Sequence, residues 1–242
     1  MTVRITDYLT MRDANRAVAN RTRADIQYIV IHYTGAPGGA EAHCRYFAEN
    51  DLQASAHLFV GHAGEVFRCV ADKDIAWHCG AQTYHNPARN ANSIGIELCC
   101  RQTATSGRWS FEKATVEAAV ALTREYMAKY GIPTSRVVRH FDVTGKICPE
   151  PFCGSPANDS AWAAFLARLP QIAPPAFTPY VVRVLASSLN IRTGPGTHHA
   201  TNGAINDRGS YTIVEEADGP GAKKWGKLKS GLGWISLDHT GR

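Results

Sequence analysis

The chain has 242 residues, 44% of them hydrophobic and 19% charged. That composition supports a buried core and excludes a disordered chain; the length allows one large domain, or an ordinary domain plus a small one. A net charge of +5 is too mild for a dedicated nucleic-acid binder, and no run of about 18 apolar residues is present to span a membrane.

The first 25 residues carry Arg4, Arg12, Arg16, Arg21 and Arg23 but no apolar stretch of signal-peptide length, so no cleaved secretion signal is expected. Ile26 to Thr34 is β-branched and aromatic, a pattern for a buried strand. Gly38 to Glu49 places small and apolar residues at helical spacing. Leu58–Val60 and Glu65–Val70, separated by Gly61 and Gly64, predict a hairpin. Ser93 to Cys99 reads as another short strand. Ser110 to Tyr130 is the strongest helix pattern: Val116, Val120, Thr123 and Met127 share a face, Ser110 offers a cap, and Gly131 with Pro133 stops it. Val137 to His140 predicts a short strand. Asn158 or Asp159 can cap a last helix carrying Trp162, Phe165, Leu166 and Leu169. Strands interleaved with helices predict an α/β domain over residues 1–170 with a mixed sheet flanked by helices.

Pro170 to Pro179 contains four prolines and no charge, so 171–180 reads as a stiff linker. Residues 181–242 lack a helical pattern. Tyr180–Val184, Leu189–Arg192, Tyr211–Glu215, Trp225–Leu228 and Gly233–Leu237 alternate with turn residues, which predicts a small all-β barrel. The tail carries 8 Lys and Arg against 5 Asp and Glu, so the excess positive charge is concentrated there.

Three segments carry candidate chemistry. His32 ends the strongest strand, where α/β proteins place sites; a core histidine is the plainer reading. His140 is followed eight residues later by Cys148, locked by Pro149. Imidazole and thiolate both suit zinc, and a loop of this length brings both to one ion; an inert buried thiol is the alternative. Glu97 lies within the apolar run Ser-Ile-Gly-Ile-Glu97-Leu. It is either a solvent-facing strand position or a buried carboxylate with a function. Two histidines and one cysteine leave a zinc ion one open position, the pattern of a catalytic site. Glu97 is then placed to take a proton and Lys146 to face an oxyanion, which points to amide hydrolysis.

These residues are recognisable as a set. Residues 25–170 resemble the zinc-dependent N-acetylmuramoyl-L-alanine amidases of the type shared by phage endolysins, bacterial autolysins and peptidoglycan recognition proteins. The matching pieces are Val-Ile-His32-Tyr-Thr34, Ser-Ala-His57-Leu-Phe, Ala-Trp77-His78-Cys-Gly80, Asn-Ser-Ile-Gly-Ile-Glu97 and His140-Phe-Asp-Val-Thr-Gly-Lys146-Ile-Cys148-Pro149, in family order. The resemblance implies a zinc ion on His32, His140 and Cys148, with Glu97 and Lys146 catalytic. It implies a substrate groove drawing on Thr34, His57, Trp77 and His78. Many members carry a tyrosine just before the position of His57; here that place holds Ala56, which leaves Glu97 as the general base.

The remaining histidines (His43, His62, His85, His198, His199, His239) read as solvated surface residues. Cys99 and Cys100 are neighbours on a strand and face opposite sides. Cys44, Cys69, Cys79 and Cys153 read as small hydrophobes; seven is an odd count, so at least one thiol is unpaired. In the tail, Leu189-Asn-Ile-Arg192-Thr-Gly-Pro-Gly196, Trp225-Gly-Lys-Leu and Gly233-Trp234-Ile-Ser resemble the bacterial SH3-like wall-binding module. Gly194 and Gly196 suit a turn with positive φ. The expected protein is a peptidoglycan hydrolase, endolysin or autolysin. Its partner is peptidoglycan, with neither nucleic acid nor membrane. It acts from a host cytoplasm without a secretion signal, or leaves by a non-Sec route. The alternatives are a non-catalytic peptidoglycan binder, a cytoplasmic muropeptide-recycling amidase, and a cysteine hydrolase built on Cys148 and His140.

Overall fold

A computed structural model describes residues 3–103, 106–170 and 177–241. The chain divides into two compact units, Met1–Pro174 and Pro175–Arg242. Most of the linker expected at 171–180 lies outside the described residues.

The first unit is built on a six-stranded mixed sheet. Its strands are β1 (Ile5–Asp7), β2 (Tyr28–Tyr33), β3 (Leu58–Val60), β4 (Val66–Arg68), β5 (Ser93–Leu98) and β6 (Val137–Arg139), in the spatial order β1-β4-β3-β5-β2-β6. Only the β3–β4 hairpin is antiparallel. The period of two along a strand explains the division of labour. Ile29 and Ile31 of β2, with Ile94, Ile96 and Leu98 of β5, face the main core. Tyr28, Val30 and His32, with Ser93, Gly95 and Glu97, face the other way. Parallel register sets His32 directly beside Glu97 and Val30 beside Gly95. Two residues far apart in sequence are therefore neighbours on one sheet face.

The helices are α1 (Ala40–Glu49), α2 (Lys113–Tyr130), α3 (His140–Thr144) and α4 (Pro156–Ala167). α2 lays Val120, Leu122, Tyr126 and Met127 on the core face, where they meet Phe152, Trp162 and Phe165. Each such side chain contributes about 1.5–3 kcal/mol by leaving water. Gly131 ends α2 at φ 71°, as its position predicts, and its N–H reaches the Met127 carbonyl. The start of α2 differs from expectation. Ser110 does not cap it; Trp109–Ser110 pairs with Arg101–Gln102 as a short ladder, and the helix begins at Lys113. The cap of α4 also differs. Ser155 Oγ accepts from the Asn158 N–H at 3.3 Å, with Pro156 in the first turn. Asn158 and Asp159 have other partners: Asn158 donates to the Glu150 and Cys153 carbonyls, and Asp159 pairs with Arg139 at 2.7 Å. His140 opens α3 rather than closing the strand before it.

The second unit is one antiparallel sheet. Its strands are β7 (Tyr180–Val184), β8 (Leu189–Arg192), β9 (Thr201–Ile205), β10 (Ser210–Gly219), β11 (Ala222–Leu228), β12 (Trp234–Ser236) and β13 (Thr240–Gly241), in the order β9-β8-β12-β11-β10-β7-β13. β9 and β13 had no sequence signal: the first is mostly exposed and the second is two residues long. Val182, Val184, Leu189, Ile191, Ile213 and Ile235 form its core. Gly196 has φ 141° as expected, but Gly194 does not take a positive φ. A Cβ there would fall 2.6 Å from the His199 ring, which would have to turn aside.

Candidate metal centre and groove

β2 delivers His32 at its C-terminal end. β6 pairs with β2, Arg139 opposite Ile31, so His140 emerges immediately beside it. Arg139 clamps this junction. Its guanidinium pairs with Asp142 at 2.8 Å and Asp159 at 2.7 Å, and donates to the Phe152 carbonyl. α3 stops at Gly145, φ 79°, and the chain turns back. The Phe141 N–H then donates to the Cys148 carbonyl at 2.8 Å, which returns Cys148 to the start of the helix. As a result, ligand atoms of His32, His140 and Cys148 all lie within 4.8 Å of one another, and all three residues are buried. Cys148 Sγ is 3.7 Å from His32 Nδ1, and the His140 Nδ1 is buried without a partner.

The surroundings leave these groups uncharged. Burial, then the neighbouring His78, His140 and Lys146, holds the His32 imidazole well below its usual value. Burial and Lys146 take His140 down to about 4. Both rings are therefore neutral near pH 7, with lone pairs free to ligate. Burial, reinforced by Glu97, pushes the Cys148 thiol well above its ordinary range. Without a cation it is held as the thiol.

Glu97 lies beside this cluster with its Oε1 4.0 Å from His32 Nδ1 and its side chain 18% exposed. Burial pushes its carboxyl up to about 8, against the pull of the Lys146 ammonium. Its Oε2 is buried without a partner. Outside the cluster runs a groove of about 870 Å³. Gln53 and Trp77 line it, as do His78, His140 and Lys146.

The structure brings His32, His140 and Cys148 together with Glu97 beside them, and places Lys146, Trp77 and His78 along the groove. Two expected substrate contacts fail. His57 is 0% exposed and sits behind the groove, its Nδ1 accepting from the Gly95 N–H at 3.0 Å. The Thr34 hydroxyl is turned to the Ala36 carbonyl at 3.1 Å, and Thr34 is not among the groove residues. His43 is not solvated either; it is half-buried and stacks on Phe59. Cys99 and Cys100 lie just past the end of β5, and all seven cysteines are free and buried. Cys44, Cys69 and Cys99 pack with Phe59 as small hydrophobes. Gln53 and Asn90 were missed in the sequence. Gln53 has φ 52°, with its backbone N–H held by the buried Asn15 side chain at 3.2 Å. A residue forced left-handed by a distant asparagine leaves no local signal.

The sequence profile of a family described as N-acetylmuramoyl-L-alanine amidase matches residues 22–151. An N-acetylmuramoyl-L-alanine amidase of Bacillus subtilis (strain 168), BlyA, is 36% identical over 142 residues, covering 52% of this chain and 37% of the relative. The chain thus spans well under half the length of these curated Bacillus relatives. Among solved structures, the catalytic domain of XlyA is 27% identical with a TM-score of 0.54, covering 69% of this chain and 100% of that one. PlyL, at 24% identity and a TM-score of 0.56, covers 71% of this chain and 100% of its own and shares the fold.

Proposed function

The chain belongs to the N-acetylmuramoyl-L-alanine amidase family, and from that premise we propose that it hydrolyses the amide between the lactyl group of N-acetylmuramic acid and L-alanine in peptidoglycan. The observation that carries this is the convergence of His32, His140 and Cys148 within 4.8 Å beside Glu97. The donor set fits zinc. Two neutral imidazoles and a thiol, one imidazole nitrogen being buried and unpartnered, are zinc's preferred chemistry, and three protein ligands leave a coordination position for substrate. When bound there, zinc activates water at neutral pH and polarises the scissile carbonyl.

The chain's own residues supply the rest. Glu97 is the proton carrier: its carboxylate, 4.0 Å from His32 Nδ1 at the edge of the cluster, takes a proton and returns it to the leaving amine. Lys146 reaches the groove as a fixed positive charge close enough to lower the pKa of both ligand imidazoles. It faces the oxygen that becomes negative as the carbonyl is attacked. Gln53 and Trp77 hold the muramyl peptide alongside. A purely recognising homologue needs no half-buried carboxylate such as Glu97 beside the cluster.

The second unit is proposed as an SH3-like module that binds wall peptide and keeps the first unit at its substrate. Its antiparallel strands and separate core support this. A muropeptide-recycling enzyme has no use for such a unit, which favours intact wall as substrate.

The test is elemental analysis together with release of free L-alanine N-termini from purified Gram-positive walls. About one zinc per chain is expected, with alanine release, and Cys148→Ser loses both. Zinc without alanine release from any wall or soluble muropeptide returns the reading to a binding protein. Activity that survives zinc removal refutes the mechanism.

A further inference from the structure

Behind the ligand cluster, four residues form a hydrogen-bonded chain that the hydrolytic chemistry has not used. His32 Nε2 lies 3.0 Å from His78 Nδ1. His78 Nε2 lies 3.1 Å from Ser93 Oγ, and Ser93 Oγ lies 2.6 Å from the Arg89 carbonyl oxygen. The far end sets the direction of every proton. A carbonyl oxygen only accepts, so the Ser93 hydrogen points to Arg89. Ser93 Oγ is then the acceptor for a proton on His78 Nε2. His78 Nδ1 is left with a lone pair and accepts from His32 Nε2–H. The neutral His32 ring therefore keeps its lone pair on Nδ1. That is the atom 3.7 Å from Cys148 Sγ and 4.0 Å from Glu97 Oε1.

His78 is held for this task. Asn90 Oδ1 accepts from the His78 and Cys79 backbone N–H groups at 3.1 and 2.8 Å. The ring occupies the space above Gly95, where a Cβ would fall 2.6 Å from His78 Cγ. β5 thus supplies both the acceptor, Ser93, and the gap, Gly95. Both ring nitrogens of His78 are engaged, so it has none to offer a substrate despite lining the groove.

We propose that His78 is a positioning residue: with Ser93 and the Arg89 carbonyl it locks His32 in the Nε2–H tautomer and aims the Nδ1 lone pair at the metal. The partner on a ligand's other nitrogen fixes its tautomer and orientation, and its loss typically costs about 10–100-fold in metal affinity. The inference rests on the metal reading of His32, His140 and Cys148.

The experiment uses the full chain. Long-range proton–nitrogen NMR on the ¹⁵N-labelled, zinc-free protein at neutral pH reads the tautomers directly. Nε2–H is expected at both His32 and His78; Nδ1–H at His32 overturns the proposal. Zinc affinity is then measured by competition with a chelator of known strength. His78→Ala is expected to weaken zinc about 10–100-fold with an unchanged circular dichroism spectrum. His78→Gln, whose amide oxygen accepts the His32 Nε2–H, is expected to recover most of that loss. Zinc bound by folded His78→Ala as tightly as by wild type overturns the proposal, and so does a Gln variant no better than Ala. If His78→Ala does not fold, Ser93→Ala decides the point: it removes one oxygen and frees His78 to take the other tautomer. Weaker zinc binding is expected, and unchanged binding overturns the proposal. Failure of the wild type to bind zinc refutes the metal reading instead, and the tautomer measurement stands apart from it.

Discussion

His57 makes the first unit sensitive to acid in a way that can be quantified. The ring is 0% exposed. Its Nδ1 accepts from the Gly95 N–H at 3.0 Å, its Nε2 lies 3.2 Å from the Asp74 carbonyl oxygen, and the Arg21 guanidinium is 2.7 Å from the same nitrogen. A second proton would meet the Gly95 N–H and place a cation beside Arg21 with no water to screen it. Burial first, and the Arg21 charge second, therefore take the imidazole down to about 3 from 6.5. A base with a depressed folded pKa binds fewer protons folded than unfolded, so its contribution is complete above pH 6.5 and is lost as pH falls toward 3. At about 1.4 kcal/mol per pH unit, roughly 5 kcal/mol is at stake, and nearly 3 kcal/mol is gone by pH 4.5. A domain is stable by only about 5–15 kcal/mol. The assay is urea unfolding in strong chelator from pH 7 to 4, read at backbone NMR signals of β2 and β5 so that only the first unit is followed. His57→Gln keeps a polar side chain and cannot titrate. It is expected to be less stable at pH 7 but to lose stability more slowly on acidification, by about 1.4 kcal/mol per pH unit. Parallel pH profiles for wild type and variant would refute the reasoning.

Other outcomes follow from the same geometry. Glu97→Gln is expected to keep its zinc and lose about 10²–10⁴ in turnover, the usual worth of a placed proton carrier; a rate within threefold of wild type on purified walls removes Glu97 from the role. In zinc-free protein, Glu97 has a raised folded pKa, so its contribution to stability is complete below about 4.5 and fades as pH rises through about 8. Glu97→Gln should flatten that alkaline decline in a urea series. Lys146→Ala is expected to slow turnover by about 10²–10³ with zinc content unchanged, a loss set by one missing oxyanion partner; an unchanged rate in alanine release refutes it. Asp72 accepts from Tyr126 Oη at 3.0 Å and from Tyr130 Oη and Lys129 Nζ at 2.7 Å. Although burial alone would raise its carboxyl, these partners and Arg68 hold it low. Asp72→Ala is expected to cost about 2–4 kcal/mol in unfolding measurements, since it strands the buried Tyr126 hydroxyl and the half-buried Tyr130 hydroxyl; a loss under 0.5 kcal/mol would show the network to be idle.

Much of this protein is legible in local pattern. A dense β-branched and aromatic run marks β2 and a short apolar run marks β5, and Ile29, Ile31, Ile94, Ile96 and Leu98 of these strands do form the core. Gly131 stops α2 because only a left-handed residue closes that end cheaply, and glycine is the residue for it. The candidate metal cluster is legible because zinc chemistry restricts residue type as well as spacing, and His140 and Cys148 lie only eight residues apart. Helix starts were read less well. Ser110 was free to cap α2 by sequence, but its backbone is committed to a ladder with Arg101 that no helical pattern reports.

The tertiary structure alone decided the roles of the remaining histidines. His57 and His78 stand in equivalent-looking motifs, each beside a small or aromatic residue, and sequence treats them alike. The fold turns His57 to Arg21 and the Gly95 N–H, and sets His78 between His32 and Ser93. The distinction depends on Gly95, which opens the space for one ring and donates its N–H to the other. Residue type and spacing along a chain determine which groups are able to bind a metal. Which nitrogen of a ring carries its proton depends on acceptors supplied by other strands, and only packing brings those within 3 Å.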